Sequence, residues 1–279
     1  MNDPNQRAFR FLEQLAADLS RGEVVFPTFI DATVKVRLAL NNPKTDVDRL
    51  AQIVSAEPLL SLKLVRLANS AAVNPGGKRV NDVKTAVLRV GFTAVRTTAV
   101  AVAMEQLLAS KELESSFETA KQVWEHCVDV AARAYVIARA MTRINPDEAL
   151  FTGMIHDVGH FYLLSRAKKY PELTQNAEEF EYVLREWHGE IGHAVLNAMG
   201  LADDLADAVG HHDQTAFNVP PKDVAGVLLL ANVATRCPNP LEPATAEQTE
   251  WLASGELGLI ELMASAEPEI QSLISALKG

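Results

Sequence analysis

The chain has 279 residues, 48% of them hydrophobic and 22% charged, enough to bury a large core as one domain or two lobes and to exclude wholesale disorder. Lys plus Arg number 26 against 36 Asp plus Glu, and a net charge of −10 repels phosphate backbones, which argues against broad electrostatic nucleic-acid binding. Cys127 and Cys237 form neither a disulfide framework nor a CxxC pair, and the polar N-terminus shows no apolar leader. The longest apolar stretch, Val224 to Ala234, is well short of the ~18 residues of a membrane span, so a cytoplasmic globular protein is expected.

Nearly every segment carries helical periodicity, with prolines and glycines gathered at the joints. Thr45-Asp46-Val47-Asp48 resembles a helix start, and the helix it opens is expected to run to about Val54. Glu57-Pro58 starts another, whose Leu60, Leu64 and Leu67 form an apolar stripe and which stops near Asn69, before Asn74-Pro75-Gly76-Gly77. Asn69 and Ser70 are expected to end that helix and to hold the following loop through side-chain bonds to backbone. A short helix from about Asp82 ends at Gly91, and a further one spans about Thr93 to Leu108.

A long helix from about Phe117 to Met141 follows, and Asn145-Pro146-Asp147-Glu148 opens a helix that carries Ile155 and His156. Helices are expected at about 176–187, 189–199, 201–211 and 222–236, and Asn239-Pro240-Leu241-Glu242-Pro243 reads as a linker. The fold class is therefore all-α, with an N-terminal helical lobe over 1–110, a second lobe over 111–238 and a helical extension over 239–279.

All seven histidines fall between His126 and His212. His156-Asp157 lies in an apolar segment, where an imidazole beside a carboxylate is costly unless both are satisfied. An aspartate bonded to local amides satisfies such a pair, and so does a divalent metal such as zinc, iron, manganese or nickel. His126, Asp129 and Arg133 share one helix face, either lining a polar cavity or facing solvent. His188 and His193 follow, then His211-His212; adjacent residues on a helix point about 100° apart, so one of that pair faces a given metal most easily. Gly159 interrupts the helix between His156 and His160, which weakens an HExxH-protease reading. Cys127 fits a buried, inert thiol better than a soft ligand, and Trp124 and Trp187 fit core packing.

The order and spacing of His126, His156-Asp157, His188 and His211-His212 resemble the HD superfamily of metal-dependent phosphohydrolases. Glu57-Pro58-Leu59-Leu60, Leu64 to Ser70 and Thr85 to Gly91 narrow the resemblance to its HDOD branch, the HD-related output domain of bacterial signalling proteins, over about residues 20–236. The resemblance implies an N-terminal helical bundle packed on an HD-like lobe, with His126, His156, Asp157, His188 and one or both of His211 and His212 as metal ligands. Asn232 stands where active HD hydrolases place a closing aspartate; an amide can ligate a metal but brings no charge and cannot act as a base. His160 takes the place of the lysine found in the HD-GYP branch, and the Gly-Tyr-Pro segment of that branch is missing after His212.

The expected function is accordingly a regulatory or scaffold module of bacterial signal transduction, acting by protein contacts and assigned no catalytic residue. Its partners would be a separate sensor, response regulator or cyclic-nucleotide enzyme, with no membrane and no nucleic acid. The alternative is a metal-dependent phosphohydrolase acting on a nucleotide or another phosphate ester, with Fe, Mn, Zn or Ni as its cofactor; a third reading keeps the metal structurally or as a sensor, with no turnover.

Overall fold

In a computed structural model, residues 4–21, 31–40, 42–212, 217–253 and 257–278 are described, and these contain helices and turns but no strand. Helix α1 (Pro4–Ser20) is followed by α2 (Asp31–Leu40), α3 (Val47–Ser55), α4 (Pro58–Ala68) and α5 (Val83–Leu108). Side-chain caps start two of them: Asp46 accepts from the Arg49 amide and Asp82 from the Thr85 amide, both at 2.8 Å. Asn69 fixes the loop after α4. Its Nδ2 donates to the Val65 and Val80 carbonyls, and its Oδ1 accepts from the Val80 amide, all at 2.8 Å.

Helix α5 is broken at Gly91, which has φ +78° and ψ 175°, so the segments Val83–Val90 and Phe92–Leu108 meet at an angle. Only glycine adopts that backbone conformation without strain. By length and composition α5 does reach what a membrane span needs, contrary to the expectation that Val224 to Ala234 was the longest apolar candidate. Its window is 67% buried among α2, α3, α4 and α7, as a core helix would be.

The second lobe is built on α6 (Phe117–Met141), whose small residues let neighbours approach on several sides. Helix α7 (Pro146–Ile155) packs closest, and a Cβ at Gly153 would lie 2.6 Å from the Ala131 Cα. Then come α8 (Val158–Ala167), α9 (Pro171–Thr174), α10 (Ala177–Ala198), α11 (Asp203–Gly210) and α12 (Val224–Val233). The two helices expected over 176–199 form one continuous helix. Gly189 and Gly192 do not break it; they seat it against Gly210 of α11 and Gly159 of α8.

The chain ends in α13 (Ala246–Ala253), α14 (Leu257–Ser265) and α15 (Glu267–Lys278). Helix α15 packs on α4, α5 and α6, burying Ile270, Leu273 and Leu277, and so joins the early helices to α6. Buried Lys63 secures it, with Nζ 2.8 Å from Glu105 Oε1 and 2.7 Å from the Leu277 carbonyl. At the other end of the chain, Phe11, Leu15 and Leu19 of α1 join the core of the second lobe, beside α9 and α10.

A Cβ at Gly91 would meet nothing within 4 Å, so Gly91→Ala isolates the backbone cost. The variant is expected to lose roughly 1–3 kcal/mol of unfolding free energy in urea denaturation. Unchanged stability would contradict the strained break.

Candidate metal centre

Five segments converge on one buried centre. His126 comes from α6, His156 and Asp157 from the turn between α7 and α8, His160 from α8, His188 from α10 and His212 from the turn after α11. All six are buried, at no more than 5% exposure. The His-Asp pair lies at the junction of two helices rather than inside one. Gly159 does not interrupt α8 but is the point where α8 meets α10: a Cβ there would lie 1.9 Å from the His188 carbonyl oxygen.

Each of four rings is fixed in the same way. The Nδ1 atoms of His126, His156, His188 and His212 lie 2.7, 2.8, 2.8 and 2.7 Å from the carbonyls of Cys237, Gly153, Arg185 and Val209. A carbonyl only accepts, so Nδ1 carries the proton and Nε2 is left with its lone pair. The lone pairs then meet other acceptors. His126 Nε2 is 3.2 Å from His156 Nε2, and His188 Nε2 is 2.7 Å from Glu242 Oε1.

Asp157 lies between the rings. Its Oδ2 is 3.3 Å from His156 Nε2 and 3.6 Å from His126 Nε2, and it accepts from Asn239 Nδ2 at 2.9 Å; among the described residues its Oδ1 accepts no hydrogen bond, and His160 Nδ1 lies 3.6 Å away. Burial pushes the His156 pKa down to about 4, against the pull of Asp157, so the ring is neutral at pH 7. Burial alone would raise the Asp157 carboxyl, but His156, His160 and His126 outweigh it and hold Asp157 well below the usual carboxylate range. Burial, then Asp157, raises the Cys127 thiol well above its ordinary value, so it stays protonated.

Imidazole nitrogens facing one another and carboxylates, buried together, form an arrangement that a cation would satisfy. The donors form two groups that share Asp157: His126, His156 and Asp157, then Asp157, His188, His212 and Glu242, with the ligand atoms of each group within 4.8 Å of one another. Two nitrogens on one metal at ~2.0–2.1 Å lie about 2.8–3.4 Å apart for right-angled to tetrahedral geometry, which the 3.2 Å between His126 and His156 fits. Imidazole with carboxylate suits zinc, iron, manganese or nickel.

Of the residues expected at a metal, His126, His156, Asp157, His188 and His212 are brought together, whereas His211 is exposed and bonds back to the Asp207 carbonyl through Nδ1 at 3.0 Å. His193 is also outside, paired with Asp207. Asn232 lies in the last turn of α12, and among the described residues its side chain makes no hydrogen bond; the acid that joins Asp157 in the second group is Glu242, from the stretch that reads as a linker. Asn239 of that stretch is 4% exposed. Asp213 to Ala216 lies outside the described residues.

The stripe below His126 turns inward. Asp129 holds the Arg133 guanidinium at 2.8 and 3.1 Å, and its Oδ2 accepts from Thr235 Oγ1 at 2.7 Å and the Arg236 amide at 2.8 Å. It thereby positions the Cys237 carbonyl that orients His126. Trp124 is buried in the core, but Trp187 is 40% exposed.

The HDOD domain model matches residues 26–215. The chain belongs to the HDOD domain family. An uncharacterized protein of Treponema pallidum (strain Nichols) is 25% identical over 241 residues, or 80% of this chain; the chain spans only 44% of that relative. The crystal structure of a "putative metal-dependent phosphohydrolase" from Shewanella amazonensis SB2B superposes with TM-score 0.75 at 23% identity, covering 98% of this chain and 99% of that one. That of a "putative signal transduction protein" from Marinobacter aquaeolei VT8 gives TM-score 0.58 at 19% identity, covering 98% and 66%. At these identities the two structures establish the shared all-α HDOD fold.

The approach at Gly159 makes it a sensitive position. Gly159→Ala is expected to displace the His188 backbone and lower bound metal by roughly tenfold or more in affinity, read by mass spectrometry of purified protein, since misplaced support around a metal typically costs 10–100-fold. Gly258→Ala, where a Cβ meets nothing within 4 Å, is expected to keep its metal. Equal metal in both variants would contradict the role given to Gly159.

Proposed function

We propose that this HDOD protein is a regulatory module of signal transduction that works through protein contacts, and that its buried centre holds a divalent metal without turning over a substrate. The observation that carries this reading is closure of the centre by the Cys237–Glu242 segment. The Cys237 carbonyl engages His126, Asn239 engages Asp157, and Glu242 reaches His188 at 2.7 Å and His160 at 3.3 Å. With the other ligands at most 5% exposed, the segment helps keep them from solvent and so from a phosphate ester. A group with four protein ligands, as Asp157, His188, His212 and Glu242 form, is also the pattern of closed structural sites. The likeness to the Marinobacter protein is in keeping with a signalling role, and the partner would be a separate sensor, response regulator or cyclic-nucleotide enzyme.

One observation favours the second reading, a metal-dependent phosphohydrolase: two donor groups sharing Asp157 are what a two-metal hydrolase requires. A metal bound there supplies Lewis acidity and a water of lowered pKa. In that case the residues of this chain would do the rest: the backbone carbonyls hold the imidazoles with Nε2 aimed at the centre, and Asp157 supplies the negative charge shared by both groups.

Assays with phosphate monoesters and diesters, on protein loaded in turn with manganese, iron and nickel, separate the two. Stoichiometric metal with turnover no higher than that of His156→Ala is expected. Turnover that His156→Ala abolishes would overturn the regulatory reading in favour of the hydrolase.

A further inference from the structure

We propose that Glu242 is a built-in ligand of this centre, occupying the position that a phosphate oxyanion would otherwise take. The inference rests on the metal-centre reading above and adds the identity of the group that blocks it.

Glu242 differs from the other donors in three ways. It lies beyond residues 26–215, outside the stretch that defines the family. It comes from an irregular segment between α12 and α13, whereas His126, His156, His188 and His212 are carried on or directly after long-packed helices. Its side chain is 14% exposed, against 6% for His188 and 0% for His160 and Asp157, so it is the donor closest to solvent. A ligand entering from outside would meet this position first.

The segment is fastened so that the carboxylate arrives there. Asp129 holds Thr235 and the Arg236 amide, and the Cys237 carbonyl accepts from His126. Asn239 Nδ2 donates to Asp157 Oδ2 at 2.9 Å, while its Oδ1 accepts from the Leu241 amide at 2.9 Å and its carbonyl from the Glu242 amide at 3.2 Å. That turn delivers Glu242 Oε1 to within 2.7 Å of His188 Nε2 and 3.3 Å of His160 Nε2. The His160 and His188 rings stack at 4.3 Å with 6° between their planes, so both nitrogens present the same side to it.

The chemistry of the displaced ligand follows from that of the carboxylate. Glu242 offers a hard, anionic oxygen to a cation held by imidazole nitrogens, and a phosphate oxygen is the same kind of donor. Without Glu242, Asp157 is the one carboxylate left in either group, so the positive charge of bound metal is less compensated and an anion is drawn in. His160, buried beside the same oxygen, is placed to donate to that anion.

The test uses cobalt(II) as the metal and inorganic phosphate as the anion, with Glu242→Ala and with Glu242→Gln, which keeps the shape and removes the charge. Cobalt affinity is measured by competition and the cobalt absorption spectrum is recorded with and without phosphate, alongside melting curves. The expected result is a spectrum insensitive to phosphate in the unaltered protein, with cobalt binding weakened at least about tenfold in both variants. Phosphate should then shift the variants' spectra. Variants that bind cobalt as tightly as the unaltered chain, or a phosphate response equal in all three, would overturn the proposal. Failure of the unaltered protein to take up cobalt would overturn the metal-centre reading itself, which distinguishes the two failures.

Discussion

Four imidazoles have their Nδ1 protons committed to backbone carbonyls, so four Nε2 lone pairs are forced toward one buried carboxylate. The carbonyls of Gly153, Arg185 and Val209 each lie three residues before the ring they hold, and that of Cys237 reaches His126 from a distant segment. In water such an array would be solvated. In an interior where the rings are at most 5% exposed, facing acceptors repel unless a cation joins them. Much of the second lobe can be understood as the means of keeping this unfavourable arrangement in place.

The glycines serve that end. Gly153 brings α7 against α6, Gly159 brings α8 against the His188 carbonyl, and Gly189 and Gly210 let α10 and α11 touch. Each removes a Cβ where two helices must come close enough for their histidines to share one centre. Helix α15 is then locked to α4 through buried Lys63 and to α6 through an ion pair between Arg139 and Glu269. The centre and the N-terminal bundle are thus parts of one packed body, with α6 contributing both His126 and Asp129 as well as core residues facing either side.

Local signals were readable wherever the physics was local. The helix starts at Thr45–Asp48 and about Asp82, the cap at Asn145, the break at Gly91 and the loop-holding role of Asn69 depend on a few neighbouring residues, and the structure has each of them. The Ser70 hydroxyl, expected to help hold that loop, finds no hydrogen-bond partner among the described residues. The argument that neighbouring histidines diverge separates His212 from exposed His211. What composition hides is set by distant contacts. Gly159 looks like a helix interruption because its reason is the His188 carbonyl, and Gly189 looks like a boundary because its reason is Gly210. Asn239 to Pro243 looks like a linker because two prolines and polar residues usually are one; the burial of Asn239 goes with its bond to Asp157 across the fold. Asn232 suggested a missing acid, while Glu242 brings one from a direction that no spacing rule reaches.

The account stands on the protonation pattern of the four rings, and side-chain nitrogen NMR of histidine-labelled protein reads it directly. It predicts that His126, His156, His188 and His212 each carry the proton on Nδ1, and that their Nε2 resonances, with those of no exposed histidine, shift when cadmium is added. A proton on Nε2 of these rings, or Nε2 resonances indifferent to the metal, would contradict it.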